Sequence, residues 1–175
     1  MKTLAEMSAT GLKWVQRKGA YVLMDADETI LGQLRRPRWF SAKTEVDAQG
    51  NRWTFEKKGL RHPYIEIRSL GTGEEPARFE YHGQDGDLIY PDGRIYHWRS
   101  VNWNGRTWLW ADENDQPLLG IQLAGGWTMR GEIRIDPEFT SDKAPSLLLF
   151  LGWFLVSTYY EESAAIIAAT TATMG

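Results

Sequence analysis

The sequence predicts a mainly β fold, a closed antiparallel β-barrel around a central hydrophobic α-helix. Three features indicate this fold: short runs of alternating apolar and polar residues, turn residues between the runs, and one long apolar segment late in the chain. The composition agrees, because 13% aromatic residues and 17 Gly favour half-buried strands joined by tight turns. With 175 residues, 42% of them apolar and 25% charged, the chain is expected to form one globular domain.

Eleven short strands are predicted in chain order, each bounded by polar, Gly or Pro residues. They cover residues 20–25, 29–34, 39–46, 52–57, 62–70, 76–82, 87–90, 94–99, 107–111, 118–124 and 130–136. The strongest turn signal is Pro91-Asp92-Gly93, because Pro supplies a fixed φ and Asp-Gly tolerates the left-handed conformation of a tight hairpin. The segment before residue 20 is predicted to be a helical or irregular lead-in.

The strands alternate with a period of two residues, which assigns them one apolar and one polar face. Trp53 and Phe55 are predicted to face inward, and Arg52, Thr54 and Glu56 to face water. The continuous hairpins with a single wet face favour a closed barrel over a sandwich, because closure removes exposed strand edges.

A helix is predicted for residues 144–172, where the alternation ends. Ser141 or Asp142 can cap its start, with Pro145 in the first turn. Residues 147–156 are apolar on every side of this helix, so they must be buried in protein or in lipid. A membrane span is marginal, because the uncharged stretch 144–160 is at the short limit of about 17–25 residues. A helix that fills the barrel fits better, and it puts Glu161 and Glu162 at or beyond the barrel mouth.

Four segments resemble the tubby C-terminal-like superfamily, which includes phospholipid scramblases and LURP-one-related proteins. They are YVLMDADETILGQL, WFSAKTEVDAQGNRWTFEKK, WLWADENDQPLLGIQLAGG and LLLFLGWFLVSTYYEE. The resemblance implies a barrel of about 12 strands around the helix, formed by residues 20–175 after a lead-in of residues 1–19. It implies no enzyme active site. Tubby-type members resemble phosphoinositide binders that use surface basic residues, and scramblase-type members act at phospholipid bilayers.

The residue types exclude several kinds of chemistry. The absence of cysteine excludes disulfides, thiolate metal sites and cysteine catalysis, and it fits a reducing compartment. The three histidines do not have the spacing of metal ligands, and no serine lies in a nucleophile motif. Gly71-Thr72-Gly73 precedes Pro76 rather than a helix, which excludes a phosphate-binding loop. We therefore expect no enzyme, no metal and no cofactor. The net charge of −3 predicts no nucleic-acid partner. The lack of a signal sequence predicts a cytoplasmic protein, which can also lie peripherally at the membrane.

The basic residues are concentrated early in the chain. Residues 1–62 contain 12 Lys/Arg and 7 Asp/Glu, a balance of +5, and the remainder contains 8 and 16, a balance of −8. The predicted binding residues for an anionic head group are Arg35, Arg36, Arg38, Trp39, Lys43, Lys57 and Lys58, with Arg61 nearby. The alternative is that these cations only keep a sheet edge soluble.

The favoured function is a non-enzymatic binding module that recognises anionic phospholipid head groups or an acidic protein partner at the membrane surface. One alternative is a lipocalin-like carrier of a small apolar ligand, which needs an internal cavity. The other is a scramblase-like, membrane-associated protein with its helix in lipid.

Overall fold

The fold is a closed barrel of twelve antiparallel strands around one long helix. It is described by a computed structural model for residues 11–36, 43–48, 50–102, 105–124, 129–136 and 144–173. The strands are β1 (Lys13–Arg17), β2 (Ala20–Met24), β3 (Ile30–Arg35), β4 (Lys43–Ala48), β5 (Asn51–Lys58), β6 (Tyr64–Ser69), β7 (Arg78–His82), β8 (Asp85–Ile89), β9 (Ile95–Ser100), β10 (Thr107–Ala111), β11 (Pro117–Ala124) and β12 (Arg130–Ile135). The helix, α1, spans Ala144–Thr173. The predicted fold class is confirmed.

Each strand pairs with its neighbours in the chain, and β1 closes the barrel by pairing with β12. The closing seam is short: Lys13, Trp14 and Val15 face Glu132, Gly131 and Arg130. A Cβ at Gly131 would overlap the Trp153 ring, so glycine lets the helix approach this seam closely.

The barrel begins earlier in the chain than the sequence indicates. The predicted lead-in, residues 1–19, contains β1, which pairs with both β2 and β12. Its pattern is hidden because it turns only Trp14 and Gln16 inward, and Trp14 alone is fully buried. A five-residue strand with one inward apolar side chain and two charged ends has no detectable period of two.

The helix fills the barrel with its first half. Residues 147–158 are buried among the inward side chains of the strands, and their core includes Trp153, Phe150 and Phe154. The Trp110 indole N–H donates to the Leu148 carbonyl at 2.9 Å, which holds the helix in register with β10. This burial confirms the predicted barrel-filling helix, and it contradicts the alternative in which residues 144–160 lie in lipid.

Candidate binding surface at the exit rim

The helix leaves the barrel at the end where six strand connections meet. In an up-and-down barrel alternate connections lie at the same end. This end therefore contains the connections β1–β2, β3–β4, β5–β6, β7–β8, β9–β10 and β11–β12. We call the described residues of these connections, with the strand residue on either side, the exit rim. The Tyr160 hydroxyl donates to the Gly105 carbonyl at 3.1 Å, which ties the departing helix to this rim.

Charge is strongly segregated between the two ends of the barrel. The described exit rim contains nine basic residues and one acidic residue: Arg17, Lys18, Arg35, Arg36, Lys43, Lys58, Arg61, Arg106 and Arg130, against Asp85. We define the opposite rim in the same way for the other end of the barrel. Its described residues include ten acidic and three basic residues: Asp25, Asp27, Glu28, Glu74, Glu75, Asp92, Asp112, Glu113, Asp115 and Asp136, against Lys13, Arg78 and Arg94. The balance is therefore +8 at the exit rim and −7 at the opposite rim, although the whole chain carries only −3.

Two of the predicted binding residues hold the helix where it leaves the barrel. Arg36 forms an ion pair with Glu161, and its guanidinium lies 3.3 Å from the Thr158 hydroxyl. Lys57 Nζ lies 2.6 Å from Glu162 Oε1 and 5.2 Å from the Tyr81 ring centroid. We call the two ion pairs, Arg36–Glu161 and Lys57–Glu162, the helix latch. The first role of Arg36 and Lys57 is therefore structural, because they hold the helix at the rim.

The Tyr21 hydroxyl lies beside this latch, inside the barrel. Burial raises the pKa of Tyr21 above its usual value, and the nearby Glu161 carboxylate raises it further. The hydroxyl therefore keeps its proton at neutral pH and can donate to Glu161. This donor supports the carboxylate that Arg36 contacts.

Lys58 belongs to an ion-pair network on the outer face of β5 and β6. Glu56 and Glu66 face each other directly across these strands. Lys58 Nζ lies 2.7 Å from Glu66 and 3.7 Å from Glu56, and the Arg68 guanidinium lies 2.8 Å from Glu66. The hydrogen bonds from Arg68 and then from Lys58 lower the pKa of Glu66 to about 2. Lys58 thus forms ion pairs with two carboxylates that would otherwise repel each other.

The remaining predicted residues are on the rim or outside the described residues. Arg35 lies 3.5 Å from Glu45, and Lys43 lies 3.7 Å from Glu56, with both basic side chains about 60% exposed. Arg38 and Trp39 fall in 37–42, outside the described residues. The structure thus brings Arg35, Arg36, Lys43 and Lys57 to one end of the barrel, and their role in ligand binding stays a prediction.

Four rim cations have no carboxylate within ion-pair distance in the described part of the chain. Arg17, Lys18 and Arg130 lie on β1, the β1–β2 turn and β12, and Arg61 lies in the β5–β6 connection. Arg17 and Arg130 also line a groove of about 380 Å³ along the closing seam. Only Arg61 was singled out by the sequence, because the other three are far from the basic segment in the chain. Grouping charges by alternate connections would have found Arg130, whereas Arg17 and Lys18 also require β1, which the sequence pattern hides.

Large apolar side chains are exposed at the same end. Leu60 in the β5–β6 connection is fully exposed, and Val101 in the β9–β10 connection is half-exposed. Ile166 and Ile167, on the helix beyond the rim, are 66% and 67% exposed. Leu60 is next in the chain to Arg61, and the opposite rim also exposes two large apolar side chains, those of Ile30 and Leu70.

Inside the barrel, the described residues leave little room for a ligand. Two cavities flank the helix just inside the exit rim, one of about 130 Å³ beside the Lys57–Glu162 pair and one of about 90 Å³ beside the Arg36–Glu161 pair. Both are below the range of roughly 300–1,000 Å³ of ordinary small-molecule sites. The helix occupies the space that a carrier barrel would leave for its ligand.

A histidine–aspartate cluster lies on the outer face of β7, β8 and β9. Asp87 lies 2.7 Å from His97 Nδ1 and 3.0 Å from His82 Nε2, and Arg99 approaches the same carboxylate at 3.9 Å. Within the described ranges no group of three or more His, Asp or Glu side chains is arranged to hold a metal ion. The cluster therefore explains the positions of two of the three histidines as cross-strand partners of one carboxylate.

A solved structure shares this fold. It is a crystal structure of a protein from Arabidopsis thaliana, which matches with a TM-score of 0.53 and 14% sequence identity over 84% of this chain and 87% of that chain. No protein-family model and no curated protein matches the sequence. At this identity the likeness concerns the fold alone.

In the part of the chain that the structure describes, no helix is both long and apolar enough to cross a membrane.

Proposed function

We propose that this chain is a non-enzymatic binding module that places its exit rim on an anionic membrane surface. One observation carries the proposal: the segregation of charge between the two rims, nine basic residues against one acidic at one end and the reverse imbalance at the other. In the field of a negatively charged leaflet such a molecule is oriented with the exit rim toward the lipid.

The unpaired rim cations would contribute most of the attraction. Arg17, Lys18, Arg61 and Arg130 can contact lipid phosphates without first breaking an ion pair within the described part of the chain, unlike Arg36 and Lys57. Each basic side chain near an anionic leaflet contributes about 1 kcal/mol. Four such side chains together correspond to roughly a thousandfold gain in affinity.

The seam groove would hold one head group. Arg17, Arg130 and Lys13 line it, and arginine forms forked hydrogen bonds to phosphate oxygens. Glu28 and Glu132 also line the groove. Within the described part of the chain, Lys13 is the only one of the three groove cations with a carboxylate partner, Glu28, at 3.8 Å. Arg17 and Arg130 are therefore the residues on which head-group binding should depend most.

Leu60 and Val101 can take part in docking in this orientation. Both belong to connections of the exit rim, and their exposed side chains can enter the head-group region when the cations meet the phosphates. The resemblance of the sequence to tubby-like proteins is compatible with this proposal. The similarity to the Arabidopsis protein concerns the fold only.

Vesicle flotation of the purified chain tests the proposal. Vesicles of phosphatidylcholine alone are compared with vesicles that contain 30 mol% phosphatidylserine or a few mol% phosphoinositide, each in low and high salt. We expect flotation with anionic vesicles only, and its loss in high salt, because exposed charges are screened over roughly 10 Å or less above 0.1 M salt. Equal behaviour with neutral and anionic vesicles would overturn the proposal and direct the search toward an acidic protein partner.

A further inference from the structure

The last turns of the helix extend beyond the barrel and carry no charged side chain. After Glu161 and Glu162, which the latch holds at the rim, residues 163–172 contain no charged side chain, and residues 164–172 are all exposed. At 1.5 Å per residue this segment extends about 15 Å. We call residues 163–172 the projecting segment.

From these features we infer that the projecting segment inserts into the acyl region of the leaflet on which the exit rim rests. This inference extends the proposed function, since the rim brings the segment to the bilayer. Its length of about 15 Å equals half of a hydrocarbon core of about 30 Å, so the described segment reaches through one leaflet.

The hydroxyl groups of the segment are already satisfied for a medium without water. The Ser163 hydroxyl donates to the Tyr159 carbonyl at 2.8 Å, and the Thr170 and Thr171 hydroxyls donate to the Ile166 and Ile167 carbonyls at 2.9 Å. A hydroxyl that enters lipid without a partner costs several kcal/mol. These three helix-internal bonds remove that cost.

The base of the segment has the chemistry of a membrane interface. Tyr159 and Tyr160 lie where the helix crosses the rim, with the Tyr160 hydroxyl bonded to the Gly105 carbonyl. Tyrosine is enriched at the boundary between head groups and acyl chains. Arg36 and Lys57 neutralise the last two acidic residues at the same level, so neither carboxylate needs to enter lipid.

A single fluorescent label on the projecting segment tests the inference. The chain has no cysteine, so Ile167→Cys creates one attachment site for an environment-sensitive dye such as NBD. Ile30→Cys is the matched control, because Ile30 is 56% exposed and lies on the opposite rim. With anionic vesicles we expect a blue shift at position 167, quenching by lipids brominated near mid-chain, and no change at position 30.

A second pair of variants measures the contribution of the same side chains to affinity. Ile166→Ser with Ile167→Ser should lower the affinity for anionic vesicles roughly 30-fold, because two large apolar side chains no longer leave water. Ile30→Ser should leave the affinity unchanged. Equal affinity of the double variant and the parent chain would contradict insertion.

The label also separates failure of this inference from failure of the proposed function. Flotation with anionic vesicles but no shift at position 167 would overturn insertion and leave rim docking intact. Absence of flotation would overturn both. A shift that follows protein concentration without vesicles would assign the segment to contact between copies of the chain, and equal shifts at positions 30 and 167 would indicate adsorption without orientation; each of these results overturns insertion.

Discussion

Single residues show how the paired charges of this barrel differ in role. Glu66 is buried on the outer face and faces Glu56 across the strands, and hydrogen bonds from Arg68 and Lys58 lower its pKa. The position of Lys58 in the sequence predicted a ligand contact. The sequence alone could not show that Glu66 is the partner of Lys58, because the register of β5 against β6 decides which side chains are opposite. A cation in a sequence motif is thus a candidate for binding only until its cross-strand neighbours are known.

Glu66→Gln should destabilise the protein in a manner that depends on pH. Because the pKa of Glu66 is about 2 in the folded chain and higher when unfolded, its stabilising effect is present above roughly pH 4.5 and is lost as pH falls toward 2. We expect the variant to lose about 1–2 kcal/mol at pH 7, since Arg68 and Lys58 are partly exposed and screened. Urea unfolding at pH 7 and pH 3 measures this loss.

Glu80→Gln is the control for this prediction, since Glu80 is exposed and has no ion-pair partner within the described residues. It should change the free energy of unfolding by less than about 0.5 kcal/mol. A Glu66→Gln deficit that stays constant from pH 7 to pH 3 would contradict the assigned role of the carboxylate.

Gly152→Ala should also destabilise the protein, through the helix interior. A Cβ at this position would lie 2.8 Å from Ile121 Cδ1 and 2.9 Å from Trp110 Nε1, both buried side chains. We expect a loss of about 1–3 kcal/mol by overpacking, in spite of the better helix propensity of alanine. Gly71→Ala, where a Cβ meets nothing within 4 Å, should be close to neutral in the same thermal unfolding measurement.

At the level of elements, the helix combines two roles that its sequence separates sharply. Residues 147–156 are apolar and buried, Ser157 and Thr158 are buried as well, Glu161 and Glu162 lie at the rim, and the projecting segment follows. Uniform apolarity predicted the buried part correctly, because a helix without a polar face must be enclosed. The latch was not predictable, since Arg36 and Glu161 are 125 residues apart and meet only when the barrel closes.

Removal of the latch carboxylates should weaken folding and strengthen membrane binding. In Glu161→Gln with Glu162→Gln, Arg36 and Lys57 lose their partners and the exit end gains two net positive charges. We expect a loss of about 1 kcal/mol in stability, because both ion pairs are partly exposed, and a gain of roughly tenfold or more in affinity for anionic vesicles. Chemical denaturation and flotation measure the two effects, and weaker vesicle binding would contradict the electrostatic basis of docking.

For the whole molecule, the separation of charge between two rims is the property that one-dimensional patterns describe least well. The division of the sequence into a basic first third and an acidic remainder suggested a patch near residue 36, but Arg106 and Arg130 complete the exit rim from the acidic part. Strand existence and the closed barrel were predictable from alternation and turns. The missed strand β1 matters here, because it contributes Arg17 and supports Lys18.

The most direct test of rim docking compares two charge reversals of equal size at opposite ends. Arg17→Glu with Arg130→Glu acts on unpaired cations of the exit rim, whereas Arg52→Glu with Arg134→Glu acts on outward-facing cations near the opposite rim that have no ion-pair partner among the described residues. Both variants change the net charge by the same amount. In low-salt flotation with phosphatidylserine vesicles, we expect the first variant to lose affinity at least about 30-fold and the second to bind like the parent. Equal losses in both variants would show that net charge alone governs binding and would contradict docking through the exit rim.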